Sequence, residues 1–184
     1  MKPAQQRLTR RPQGFSLVMV LIFLVLLTIL GITAMQTSTL EERMAGNLRD
    51  ENLAFQAAES ALREAEDFLS GVTLPSFGAV TATTPGLYNT VTNPWGGRDN
   101  PQGWSGWAQA PTSNVYRVYS GTLDRVATPP RYVIEQLPPV PVDPESSVKL
   151  GTGVGNFAQV FRITARGTGG SNNAVVVLET TFWR

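Results

Sequence analysis

The bond between Gly14 and Phe15 is where residue type and spacing first point to chemistry, and that chemistry is done to the chain. Lys2, Arg7, Arg10 and Arg11 make the first 14 residues basic, with no acid among them. This leader ends Arg10-Arg11-Pro12-Gln13-Gly14, and an apolar run opens at once with Phe15-Ser16-Leu17. Glycine has no side chain to crowd a peptidase, so hydrolysis after Gly14 would leave the whole hydrophobic segment on the mature chain. Means for chemistry done by the chain are sparse. With neither Cys nor His, it has no thiolate nucleophile, His-based triad, ordinary zinc site or disulfide. Asp99 with Asn100, or Asp143 with Glu145, could offer oxygen ligands to calcium. Their spacing matches no EF-hand loop, and scattered acids are usually solvated. No paired-carboxylate motif stands out. The expectation is a protein that is no enzyme and carries no cofactor or metal. Trp95, Trp104 and Trp107 cluster among glycines. They read either as an aromatic contact surface for a partner or, more simply, as the core of a loop-rich segment.

The element that must carry the Gly14-Phe15 bond is a membrane helix. Phe15–Ala34 is a run of 20 residues interrupted only by Ser16, Thr28, Gly31 and Thr33, and no charge stands between Arg11 and Glu41. At about 1.5 Å per residue it reaches about 30 Å, the thickness of a hydrocarbon core. Hydroxyls at Ser16 and Thr28 can bond back to their own helix. The bases before it put the N-terminus in the cytoplasm and the bulk of the chain outside. A secretory signal peptide has a shorter apolar core of about 7–15 residues and a small-residue cleavage site, and Ile32-Thr33-Ala34 is a poor one. A twin-arginine signal would need apolar residues where Pro12-Gln13-Gly14 stands. A plain single-span anchor leaves the placement of Gly14-Phe15 unexplained.

Beyond the span, Thr39–Leu69 reads as a helix. Leu48, Phe55, Leu62 and Leu69 recur every seven residues, with Ala58 and Ala65 in the same stripe. Such spacing keeps one face apolar and ready to bury against a sheet, or, as the alternative, to form a seam between subunits. Asp50, Glu59, Arg63 and Glu64 are expected on a solvated opposite face. Gly71 and Pro75 should end the helix. Span and extension together would make one helix of roughly 55 residues, roughly 80 Å long, with Gly31 and Gly46 as its weak points. Residues 72–130 are rich in Pro and Gly and should hold no long strand. Val115–Tyr119, Arg131–Leu137, Phe157–Arg166 and Ala174–Trp183 read as strands, the last two flanking a hairpin loop over Gly167–Asn173. Arg162 and Arg166 are expected to be solvated on one strand face, and Leu137–Pro144 to be a stiff connector. The fold class is α+β, a helical spine on an antiparallel sheet. The segments are 1–14 leader, 15–40 membrane helix, 41–71 amphipathic extension and 72–184 globular domain.

Leader, cut site, apolar helix, amphipathic extension and terminal sheet stand in the order of a type IV pilin. Thr37-Ser38-Thr39-Leu40-Glu41-Glu42-Arg43-Met44-Ala45-Gly46-Asn47-Leu48-Arg49-Asp50, with Asn52–Arg63, resembles minor pilins of the PilX type. Phe161–Gly167 and Ala174–Glu179 resemble that family's C-terminal end. The resemblance implies the type IV pilin fold, cleavage between Gly14 and Phe15 by a prepilin peptidase, and N-terminal methylation of Phe15. It implies the bacterial inner membrane as first location, with the C-terminal domain periplasmic, and then an extracellular pilus. The implied partners are major pilin, other minor pilins and a PilY-type tip adhesin. One departure matters. In most pilins the fifth mature residue is a glutamate, taken to pair with the N-terminal amine of a neighbouring subunit; here it is Met19. The K-type pseudopilin of type II secretion lacks the same glutamate and is thought to sit at the tip. By that likeness the chain reads as a minor pilin of a tip or initiation complex, unless Met19 merely reflects tolerance in a low-copy subunit.

The charge balance fits. The whole chain is +1, and without residues 1–14 it holds 11 bases against 14 acids, a net −3. No basic face suggests nucleic acid. A second function of another class remains open, a membrane-tethered extracytoplasmic binding domain outside any filament.

Overall fold

The computed structural model describes residues 15–78, 81, 83–92, 94–95, 101–142 and 157–184. Its main element is helix α1, Phe15–Ser70, 56 residues long. Alanine, leucine and glutamate favour that conformation, and Thr28 and Thr33 return their hydroxyls to the carbonyls of Val25 and Ile29 at 2.7 and 2.8 Å. At Gly71 the helix stops. The Arg184 guanidinium donates to the carbonyls of Leu69 (3.1 Å), Gly71 (2.8 Å) and Val72 (3.3 Å). A cation thus meets groups left unbonded where the helix dipole is negative. Contacts group the chain into two compact units, divided after Gly46.

In the second unit, strands β1 (Leu87–Asn89), β2 (Arg117–Val118), β3 (Arg131–Gln136), β6 (Val160–Thr168) and β7 (Val175–Trp183) form one sheet. Its order is β1-β3-β6-β7, with β2 also on β3. A separate ribbon joins β4 (Val140–Pro141) to β5 (Phe157–Ala158), so part of the expected connector is a strand. β6 pairs along β3 from Arg131 to Gln136. On the opposite edge of β3, β2 pairs with its start and β1 with its end. β1 runs parallel to β3, which makes the sheet mixed. The long connection from Thr90 to Pro130 is what permits it, since parallel neighbours need a crossover and not a tight turn. Gly86 sits where β1 meets β2 with φ +65°, and a Cβ there would stand 2.8 Å from the Arg117 nitrogen.

Strand alternation splits the interior into two cores. Tyr132, Ile134, Phe161, Ile163 and Ala165 turn toward α1 and pack with Ala61, Ala65 and Leu69. Val133 turns the other way, into a cluster with Tyr88, Trp95, Trp107 and Tyr116. The glycine- and proline-rich segment therefore covers the sheet face that the helix leaves bare.

The docking face of α1 takes Ala58, Ala65 and Leu69 from the expected stripe but leaves out Leu48 and Phe55. Its buried residues are Ala54, Ala57, Ala58, Ala61, Ala65 and Leu69. Leu48 is 61% and Phe55 46% exposed, and Leu62 is half-buried at the margin of the core. At about 100° per residue the alanine face lies roughly a quarter turn from the leucine stripe. The reason is on the sheet. A Cβ on Gly167 would collide with the Ala54 carbonyl and stand 2.5 Å from the Ala58 nitrogen. Here helix backbone meets sheet backbone, and only small side chains fit between them.

Three charged groups expected to be solvated are in use. Glu64 accepts from the Ser120 amide (2.8 Å), the Ser120 hydroxyl (2.7 Å) and the Tyr132 hydroxyl (3.0 Å). Asp50 accepts from the Ser171 amide (3.2 Å) and hydroxyl (2.5 Å) at the β6–β7 turn. Arg162 lies opposite Glu135 in register and donates to it through Nε (3.0 Å) and Nη2 (2.5 Å), with the Glu135 side chain 4% exposed. Arg166 is half-buried beside Arg131, its cross-strand partner. Burial, and then the Arg131 charge, lower its pKa.

Candidate functional site

The first unit offers an apolar helical surface. Phe15 begins α1, and its large side chains through Ile32 are exposed: Phe15, Leu17, Val18, Met19, Val20, Leu21 and their successors. The best 18-residue window of α1 has a mean hydropathy of 3.0 and none of it is buried. So large an exposed apolar surface is unstable in water and needs lipid or other apolar helices around it. The backbone suits such surroundings because every intrahelical bond is made within the segment. Met19 stands in the second turn with a thioether where a charge would have to be desolvated. The first acid along α1 is Glu41. Gly14 lies outside the described residues, as do Asp99, Asn100, Asp143 and Glu145, so the proposed cut and calcium ligands have no geometry to report.

The tryptophans are brought together, but not as an open surface. Ring centroids of Trp95 and Trp104 are 5.2 Å apart, and those of Trp104 and Trp107 4.9 Å, both edge to face. Tyr88 and Tyr116 extend the cluster at 6.3 and 6.2 Å. Trp107 Nε1 donates to the Pro101 carbonyl at 2.7 Å, Tyr116 to the Gln109 carbonyl at 2.6 Å and Tyr88 to the Val115 carbonyl at 2.8 Å. Burial pushes the Tyr88 hydroxyl pKa up to about 12. Arg131 lies over the Tyr116 ring at 4.6 Å and donates to the Trp107 carbonyl. Trp95 is 7% and Trp107 4% exposed, which favours the core reading over the contact surface. They are the second core, and only Trp104, half-buried, keeps an edge in solvent. The physical cause is supply: this loop-rich segment has few other large apolar groups with which to cover Val133.

The groups that sequence reasoning missed are the anchors. Glu64 ties α1 to the loop at Ser120, and Asp50 ties it to the hairpin turn. The Ser171 hydroxyl is the main cause of the lowered Asp50 pKa. Burial pushes Tyr132 up to about 12, with the Arg117 charge opposing and Glu64 adding to the rise. Near Asp50 is a groove of about 410 Å³ lined by Asn47, Asp50, Glu51, Ser171, Asn173 and Val175. Among the described residues no three acids gather as a metal site would need.

An exposed apolar helix continuous with one that docks on a sheet can anchor a domain in a membrane and pack among like helices. Comparison with known proteins gives that arrangement a family. Residues 13–63 match the PilX N-terminal family, and residues 74–184 match the family of the type IV pilus assembly protein PilX C-terminus. No curated protein and no solved structure matches the chain. The second match alone covers more than half of the sequence and takes in the whole sheet, so the chain belongs to the PilX family: it is a minor pilin of the PilX type, a membrane-anchored component of type IV pilus assembly.

Proposed function

We propose that this pilin acts in the complex that primes the filament and stays at its tip. Met19 carries the reading. With no carboxylate at the fifth position after the Gly14-Phe15 cut, and no charge before Glu41, the apolar helix has nothing to pair with the terminal amine of a subunit beside it. A subunit with no neighbour above it loses least by this. The protein is first a prepilin in the bacterial inner membrane. Prepilin peptidase removes residues 1–14, Phe15 becomes the methylated N-terminus, and segment 15–40 holds the chain until it enters the pilus. Helix segment 41–71 and domain 72–184 stay periplasmic and later extracellular, against other minor pilins, major pilin and a PilY-type adhesin. The protein contributes structure and no catalysis.

Two experiments test this separately. N-terminal mapping of the mature protein should begin at Phe15, and Gly14→Glu should leave an unprocessed, longer form. An unchanged mature size in that mutant would instead favour a tethered binding domain outside any filament. Immunogold labelling of sheared pili should mark one end, and deletion should lower pilus number more than pilus length. Met19→Glu should spread the label along the shaft, because a carboxylate in an apolar helix becomes tolerable once a cation lies beside it. Even labelling of wild-type filaments would refute the tip position and leave the pilin assignment intact.

A further inference from the structure

The sheet ends in an edge that proteins usually disguise. β7 runs nine residues, Val175–Trp183, and among the described residues pairs only with β6. Its hydrogen bonding can be phased from both ends. Gln159 and Arg184 exchange both backbone bonds at 2.9 Å, and the Gly169 amide donates to the Ala174 carbonyl at 2.9 Å. Bonded pairs alternate along an antiparallel ladder, and the register is unbroken from Val160↔Trp183 to Thr168↔Val175. The even-numbered residues of β7 therefore spend their backbone groups on β6. Val175, Val177, Glu179, Thr181 and Trp183 turn N–H and C=O to the free edge.

Native edges are ordinarily blunted by lysine, proline, a bulge or shortness. β7 has no lysine, arginine, proline or glycine, its register shows no bulge, and five of its nine residues are β-branched. Trp183 at its end is 71% exposed. The single charge, Glu179, stands at the midpoint with four residues on either side. In a full-length two-fold antiparallel pairing with a second copy, Glu179 would lie opposite Glu179, and like charges directly opposed are unfavourable. Among the described residues the edge is thus open to strand addition, yet it is biased against itself.

We propose that β7 is a docking edge for an extended segment of a different polypeptide, which adds a sixth strand with a Lys or Arg opposite Glu179. Main-chain bonds from the five outward residues would give affinity, and the Glu179 charge would choose the partner and its register. This does not depend on where the pilin sits in the filament.

The test uses the full chain in detergent micelles and a capped probe peptide, Thr-Val-Thr-Val-Lys-Val-Thr-Val-Thr. It is N-methylated on one edge so that it cannot pair with itself. A second probe carries Glu at the centre. The free protein should be monomeric, with fast amide exchange at Val177, Glu179 and Thr181. The Lys probe should slow those amides and bind about two- to tenfold more tightly than the Glu probe. Glu179→Lys should invert that preference. Thr181→Pro removes an outward N–H and leaves the β6 ladder intact, so it should abolish binding; if that variant does not fold, the inversion decides alone. Slow exchange at these amides without peptide would overturn the proposal. So would self-association through β7, equal affinity for the two probes, or a preference that Glu179→Lys leaves unchanged.

Discussion

Adding one methyl group at Gly167 should loosen the helix from the sheet. The new Cβ would overlap the Ala54 carbonyl and stand 2.5 Å from the Ala58 nitrogen and 3.1 Å from the Ala57 carbonyl carbon. All three are main-chain atoms of a hydrogen-bonded helix, so no rotamer change relieves the collision. Restoring ordinary contact requires α1 to shift by roughly 1 Å, and a gap of that size forfeits about a quarter to a half of each dispersion contact it opens. The alanine face would lose packing together, which puts Gly167→Ala at the upper end of overpacking costs, about 3 kcal/mol. For a domain of this size the melting temperature should fall by roughly 6–12 °C. Thermal unfolding of the full chain in detergent, followed by near-ultraviolet circular dichroism, measures it. Gly46→Ala is the control: nothing lies within 4 Å of its added Cβ, and the helix should gain about 1 kcal/mol. Trimming Ala54 or Ala58 to glycine should not rescue Gly167→Ala, because the obstacle is backbone. A Gly167→Ala protein melting within about 2 °C of wild type would refute the close-approach account.

Glu64→Ala, harmless if that residue were merely solvated, should cost about 1–3 kcal/mol by leaving the Tyr132 hydroxyl and the Ser120 amide without their acceptor; a double-mutant cycle with Tyr132→Phe should show coupling, and additivity would contradict the anchor. The folded Asp50 pKa lies below its ordinary 3.8, so its stabilisation is complete above the unfolded value and lost as pH falls through the folded one. Asp50→Asn should therefore melt below wild type at pH 6, and the difference should close as pH falls through the folded pKa; a gap that persists in stronger acid would exclude the carboxylate as its cause. Aspartate at Ala61, Leu62 and Leu48 should destabilise in that order. The first buries an unpaired charge at a cost of several kcal/mol, and the last stays in solvent; equal melting temperatures would return the docking face to the leucine stripe.

Legibility followed range. The apolar run from Phe15, the helix end at Ser70, strands β3, β6 and β7, and the turn between the last two are carried by neighbouring residues, so composition and period were enough to find them. β1 was missed because three residues inside a glycine-rich stretch have no period to show, and its parallel pairing depends on a long crossover. The tryptophans were legible as a cluster. Their use as a core was the simpler reading, but the face they cover, around Val133, exists only once the sheet has formed.

On its own the sequence determined that this chain has a membrane helix, an extension of it, and a sheet of long C-terminal strands, with Met19 and no charge where a pilin's glutamate is expected. Those are properties of consecutive residues. Tertiary structure decided the helix phase and the use of the charges. Hydrophobicity ranks side chains by their dislike of water, and on that scale Leu48 and Phe55 outrank Ala54 and Ala58. What faces the sheet was settled instead by steric approach to Gly167, a residue far along the chain. Glu64, Asp50 and Glu135 found partners 56, 121 and 27 positions away. A carboxylate's cost or benefit depends on what surrounds it in space, and only the folded chain supplies that.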